Sequence, residues 1–167
     1  GGGYMGGSFT RAGLLTEWIQ YKERPETEKI TYQAYIDVKK KWLPNVTNAA
    51  DYAGLPGFDI CAVYASASKG NSKYAIHTWK GDRSEYYDSS KWLPEVENRE
   101  DYAGLLNQPA DAFILFSDLP ARYRVRLRKS GAWLPWVYTK NASYKDKNDG
   151  FAGVIGEPID GLQIDVL

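Results

Sequence analysis

The chain is predicted to be all-β, built from three pseudo-equivalent repeats of about 40–50 residues. Two markers and one periodicity support this. Trp-Leu-Pro begins at Trp42, Trp92 and Trp133. Each triplet is followed by a second marker: Asp51-Tyr52-Ala53-Gly54, Asp101-Tyr102-Ala103-Gly104 and Gly150-Phe151-Ala152-Gly153. Apolar residues flanking the markers alternate at period two, which marks strands with one buried face. No stretch holds helical periodicity over three turns.

Taken in order, the first 29 residues stand apart. Gly1–Gly7 is glycine-rich and reads as a linker. Thr16–Lys22 alternates like a strand, and Ala12-Gly13-Leu14-Leu15 echoes Ala103-Gly104-Leu105-Leu106, so a degenerate partial repeat is expected there. Lys22–Lys29 is charged, contains Pro25 and reads as a loop.

The triplicated domain spans residues 30–167, with repeats at roughly 30–70, 71–119 and 120–167. Each opens on a strand. Tyr32, Ala34, Ile36 and Val38 are its inward residues in repeat one, and Tyr123, Val125 and Leu127 in repeat three, with Tyr74 and Ile76 aligned in repeat two. The proline after Trp-Leu ends or edges a strand because it donates nothing to a ladder. The glycine of the second marker sits where a turn or positive φ is needed. A second strand follows, with Val63 and Ala65, Phe113 and Leu115, and Leu162, Ile164 and Val166 inward. The segments from Gly57, Asn107 and Gly156 align without gaps, which places Cys61, Asp111 and Asp160 together. Repeat two carries an insertion, Gly81–Ser90, and repeat three carries extra residues between its markers. Three units are too few for a propeller. A trefoil-like closed arrangement is favoured, with an open row of hairpin modules as the alternative.

Composition narrows the function classes. Lys+Arg and Asp+Glu are 21 each, so bulk charge favours neither nucleic acid nor an anionic membrane. No apolar run is long enough for a transmembrane helix and no signal-peptide pattern is present. Beginning at Gly1 without Met, the chain is expected to be a C-terminal part of something larger or a processed product. One cysteine, Cys61, excludes an intramolecular disulfide, and a small strand residue is its expected role.

Catalytic and metal patterns are absent. The one histidine, His77, and one cysteine fall short of a zinc set. Nothing suggests a nucleophile turn or a phosphate loop. Asp146–Gly150 resembles a calcium loop, but Lys145 and Lys147 occupy positions that need acids, so a solvated turn is expected. Asp51 and Asp101 are equivalent positions, as are Asp111 and Asp160, whereas an acid and a base need opposed environments. No catalytic residue, cofactor or metal is expected.

Aromatics are the compositional outlier, with six Trp, thirteen Tyr and five Phe. Such rings suit sugar faces and protein interfaces. Trp42, Trp92 and Trp133, with Tyr52, Tyr102 and Phe151, are candidates for ligand platforms; core packing is the competing reading. Phe151 lacks the hydroxyl, so packing is what that position supplies. Tyr35, on the polar face of its strand, Trp79 beside the insertion, and Trp136 and Tyr138 near the long loop are candidates for exposed contacts. Tyr86, Tyr87 and Tyr144 share those loops. The Arg122, Arg124, Arg126 and Arg128 stripe suits an anionic polymer such as teichoic acid, or a solvated face paired with acids.

Repeat three reads Tyr-x-Val-x-Leu, Gly-x-Trp-Leu-Pro-x-Val, Asn-x-Gly-Phe-Ala-Gly, Gly-x-Pro-Ile-Asp-x-x-x-Ile from Tyr123 to Ile164. This resembles a repeat module at the C-termini of clostridial and phage peptidoglycan hydrolases, the endolysins and autolysins. Repeat two departs through its insertion and through Asn107 in place of glycine. The resemblance implies a non-catalytic module that holds a fused hydrolase on peptidoglycan or another wall glycan of Gram-positive bacteria. It implies an extracellular, wall-associated location, or release from a phage-infected host. A phage receptor-binding module or protein-binding adhesin is the alternative.

Overall fold

A computed structural model describes residues 28–78 and 92–167. The expected linker, partial repeat and Thr16–Lys22 strand lie outside the described residues, as do Trp79 and the insertion Gly81–Ser90.

The described chain is all-β. Repeat one supplies β1 (Ile30–Ile36), β2 (Lys41–Trp42), β3 (Val46–Thr47), β4 (Ala53–Gly54) and β5 (Ile60–Ala67). Repeat two supplies β6 (Ser72–Thr78), β7 (Val96–Glu97), β8 (Ala103–Gly104) and β9 (Ala110–Ser117). Repeat three supplies β10 (Ala121–Leu127), β11 (Val137–Tyr138), β12 (Ala152–Gly153) and β13 (Ile159–Val166). Single 3-10 turns at Asn48–Ala50 and Thr139–Asn141 complete the regular structure among these residues.

Three antiparallel hairpins form the frame: β1 with β5, β6 with β9 and β10 with β13. In β1 and β10 buried and half-buried residues alternate along the whole strand, as the period-two pattern predicts. Val38 does not extend the inward face. The strand ends at Ile36, a tight turn follows, and Val38 is 69% exposed. After each tryptophan one more ladder bond forms, from Leu43 N to Ala34 O, Leu93 N to Ile76 O and Leu134 N to Val125 O. The proline that follows has no N–H with which to continue.

The inward residues of all three hairpins merge into one core. Tyr32, Tyr74 and Tyr123 occupy equivalent places in it and are fully buried. A buried hydroxyl needs a partner. Each donates to a carbonyl at or just before the start of its own second marker: Tyr32 to Asn48 at 2.7 Å, Tyr74 to Asp101 at 2.7 Å and Tyr123 to Gly150 at 3.3 Å. The core thereby pins the loop that leads into the second marker.

That marker does not stay in its own repeat. Ala53-Gly54 of repeat one pairs with β13 of repeat three, Ala103-Gly104 of repeat two with β5 of repeat one, and Ala152-Gly153 of repeat three with β9 of repeat two. The donations run in a cycle. Because β4 joins the first repeat to the last, the repeats are not an open row. A closed trefoil-like sheet is not seen either: the described strands form three separate sheets linked by the exchanged pairs.

Each acceptor strand carries a bulge where the donated strand lies. Register shifts at Tyr35/Ile36, His77/Thr78 and Arg126/Leu127 leave Cys61, Asp111 and Asp160 unpaired across their hairpins. The donated glycine then lies against the bulge residue's carbonyl. A Cβ on Gly54, Gly104 or Gly153 would come within 2.2–2.3 Å of the oxygen of Asp160, Cys61 or Asp111. All three glycines also have positive φ. The marker glycine is required mainly by close approach to the neighbouring repeat, beyond the turn that the sequence suggested.

Candidate functional site

At each junction between repeats, the tryptophan of one repeat meets the second-marker aromatic of the next. Ring centroids of Trp133 and Tyr52 are 5.2 Å apart, those of Trp92 and Phe151 5.2 Å, and those of Trp42 and Tyr102 5.7 Å. The rings are tilted or edge-to-face, the arrangement that aromatic quadrupoles favour. Phe151 is buried; the other five are half-buried. These residues are therefore neither wholly core nor free-standing platforms. They wedge the repeats together and leave part of every ring except that of Phe151 at the surface.

The bulge residue sits beneath each wedge. Asp160 accepts from Gly57 N of repeat one at 2.7 Å and from Arg126 Nη1 at 2.8 Å. Asp111 accepts from Gly156 N of repeat three at 2.9 Å, and its Oδ1 lies 2.7 Å from His77 Nδ1. Two junctions are thus stapled by a buried carboxylate. The third has Cys61, buried, with its thiol pushed up to about 11 by desolvation. His77 is a buried structural histidine facing Trp92.

The three surfaces differ. Where repeats one and two meet, Trp42 contacts Tyr35, Tyr64 and Tyr102, and all four rings are half-buried. Arg99 lies over Tyr64 and donates to Asn45 Oδ1 and Gln33 Oε1. Where repeats three and one meet, Arg124 lies over both Trp133 and Trp136, and Arg122 also lies over Trp136. Tyr138 pairs opposite Arg122 in the ladder, beside this group. Where repeats two and three meet, Tyr144 from the long loop packs edge-to-face against Trp92 and at a tilt against Phe116, and its hydroxyl donates to Glu95. Burial and Glu95 together push the Tyr144 phenol well above its ordinary value.

A cleft of about 310 Å³ opens between the markers of repeat one, lined by Leu43 to Thr47 and by Ala50 to Leu55. Tyr52 is one of its walls and also touches Trp133, so the cleft adjoins the junction.

Of the residues that the sequence singled out, Tyr35, Trp42 and Tyr102 come together at one junction, Tyr52 and Trp133 at a second with Trp136 and Tyr138 alongside, and Trp92 with Phe151 at the third. Trp79 lies outside the described residues. Sequence reasoning missed Tyr64, Gln33, Asn45 and Arg99. Gln33 and Tyr64 are opposite partners on the outer face of one hairpin, a pairing that strand alternation could have exposed. The expected solvated turn is present at Asp146, whose carboxylate accepts from Asn148 N and Asp149 N. Among the described residues no three acidic, histidine or cysteine side chains gather as a metal site, and no helix is long and apolar enough to cross a membrane. No protein family, curated protein or solved structure matches the chain.

Proposed function

We propose that this chain is a non-catalytic domain that binds peptidoglycan or another glycan of the Gram-positive cell wall. In this reading it works outside the cell and targets a fused bacterial or phage hydrolase. The observation that carries the reading is the surface where repeats one and two meet. Four half-buried rings, Tyr35, Trp42, Tyr64 and Tyr102, lie beside the polar groups of Gln33, Asn45 and Arg99. Apolar ring faces next to fixed hydrogen-bonding groups suit a sugar, which has an apolar face and a hydroxyl rim. The resemblance of repeat three to wall-binding modules supports the same reading. Several modest sites on one rigid body would gain avidity on a repetitive polymer.

The test is co-sedimentation of the purified chain with Gram-positive walls, before and after acid removal of secondary polymers. Binding that survives extraction assigns peptidoglycan, and binding lost on extraction assigns a secondary wall polymer. No sedimentation with any wall preparation overturns the proposal and favours a protein-binding adhesin.

A further inference from the structure

Four arginines lie along β10 and its extension, and three of them meet carboxylates. Arg122 pairs with Asp165 at 3.1 Å, Arg126 with Asp160 at 2.8 Å and Arg128 with Asp59 at 2.6 Å. Arg124 differs. Among the described residues its guanidinium meets only a neutral amide: Nε and Nη2 donate to Gln163 Oε1 at 2.9 and 2.8 Å. Its Cζ lies 4.9 Å from the Trp133 centroid and 4.3 Å from that of Trp136. The charge is held in place without being cancelled.

Arg99 arrives at the same arrangement from an unrelated position. It belongs to the loop before the second marker of repeat two, not to a strand. Nη1 donates to Asn45 Oδ1 at 2.9 Å, Nη2 donates to Gln33 Oε1 at 2.6 Å, and Cζ lies 5.0 Å from the Tyr64 centroid. Again no carboxylate lies within ion-pair distance among the described residues. The backbone at Arg99 is left-handed, with φ of 64°, a conformation that side-chain-bearing residues disfavour. The neighbouring positive φ at Asn98 has a counterpart in repeat one at Asn48, but the next residue there, Ala49, is at −92°. The second left-handed residue is thus not shared with repeat one.

Among the described residues the remaining junction has no such group. Ala75 stands where Gln33 and Arg124 stand in the other repeats and is buried. Tyr144 covers Trp92, and an acid, Glu95, lies beside it.

We propose, resting on the wall-glycan reading above, that the ligand is an anionic glycan and that two of the three junctions each recognise one of its oxyanions. Arg99 beside Trp42 and Tyr64, and Arg124 beside Trp133 and Trp136, are the recognising groups. Each guanidinium has N–H groups left over from its amide partners, and a planar fork of this kind pairs with carboxylate or phosphate. The adjacent rings take the sugar face. The junction at Trp92 presents no guanidinium for this role among the described residues. A peptidoglycan carboxylate and a phosphodiester of a secondary wall polymer offer this same chemistry.

The test is equilibrium binding of the full chain to three probes: a purified polyol-phosphate wall polymer, polymer-free peptidoglycan, and that peptidoglycan with its carboxyls amidated. Wild type is compared with Arg99→Gln, Arg124→Gln and the double variant, each checked for an unchanged melting temperature. Arg→Lys variants provide a second, charge-retaining pair. The expected result is salt-sensitive binding of one anionic probe, loss of about tenfold in affinity for each Gln substitution, and a partial loss for each Lys. Amidation should abolish peptidoglycan binding if that is the source; otherwise the polyol phosphate should be the probe bound. If the double Gln variant matches wild type on every anionic probe that wild type binds, this inference falls and the wall-glycan reading stands. If wild type binds no wall material, both fall.

Discussion

The indole of Trp133 meets the ring of Tyr52 edge-on at a centroid distance of 5.2 Å, and so joins the last repeat to the first. Trp133→Ala should destabilise the fold by about 2–4 kcal/mol, at the low end because the ring is half-buried. A double-mutant cycle with Tyr52→Ala, read by urea unfolding, should return a coupling of about 1 kcal/mol. Strict additivity would mean that the two rings do not brace each other.

Gly104 and Gly57 both have positive φ, at +112° and +87°, but their surroundings differ. A Cβ at Gly104 would lie 2.2 Å from Cys61 O, while one at Gly57 would meet nothing within 4 Å. Gly104→Ala therefore combines backbone strain with a steric clash and should cost about 3 kcal/mol or more. Gly57→Ala carries the strain alone and should cost about 1–2 kcal/mol. Equal losses in denaturation midpoint would contradict the close-approach explanation of the second marker.

Asp111 and Glu97 both face a positive or protonatable partner, the first pair fully buried and the second about half exposed. Asp111 is fully buried against His77 and also receives Gly156 N, so Asp111→Ala should destabilise by about 3 kcal/mol. Lys73 and Glu97 are each about half exposed, and Lys73→Ala should change stability by at most about 1 kcal/mol. Chemical denaturation of the two variants side by side makes the comparison.

Burial raises the phenol pKa of Tyr32, Tyr74, Tyr123 and Tyr144 above the ordinary 10.0. Above about pH 10 the unfolded chain loses protons that the folded chain keeps, so unfolding becomes easier as pH rises. Stability from these groups is complete below that pH and is lost through the alkaline range. Urea midpoints should fall between about pH 9 and pH 11. Absorbance at the phenolate wavelength should show a late group of tyrosines that ionise only as the fold is lost. A single early titration with the fold intact would show that the four phenols are accessible.

Cys61 is 1% exposed and its thiol is pushed up to about 11, so little reactive thiolate is present at neutral pH. An aromatic disulfide reagent should leave it unmodified in buffer and modify it completely in denaturant. Rapid modification of the native chain would mean that the junction between repeats one and two opens.

Strand alternation made the hairpin strands legible in the sequence, because Tyr32 and Ala34 face a single core. The marker spacing made the repeats legible. It did not reveal that Ala-Gly pairs with the neighbouring repeat, because a two-residue strand has no periodicity and its glycine also fits a turn. The bulges were hidden for a related reason. Asp111 and Asp160 align with Cys61, and nothing in two aspartates and a cysteine announces a skipped register. Trp42, Trp92 and Trp133 were recognisable as special, yet their role depends on what lies across a junction. Arg99 left no local signal at all, since its partners Gln33, Asn45 and Tyr64 all belong to another repeat.

The cyclic exchange of Ala-Gly strands gives every repeat one plug and one socket. A single repeat would carry both unfilled, and two in tandem would still leave one of each. A third repeat uses both up. Copy number is therefore dictated by assembly: a one-repeat peptide that folds should form trimers in sedimentation equilibrium, with no free monomer of native structure. Recognition is under no such constraint. Each junction can change its outward-facing side chains without disturbing the plug beneath it, which leaves room for a threefold scaffold with unequal faces.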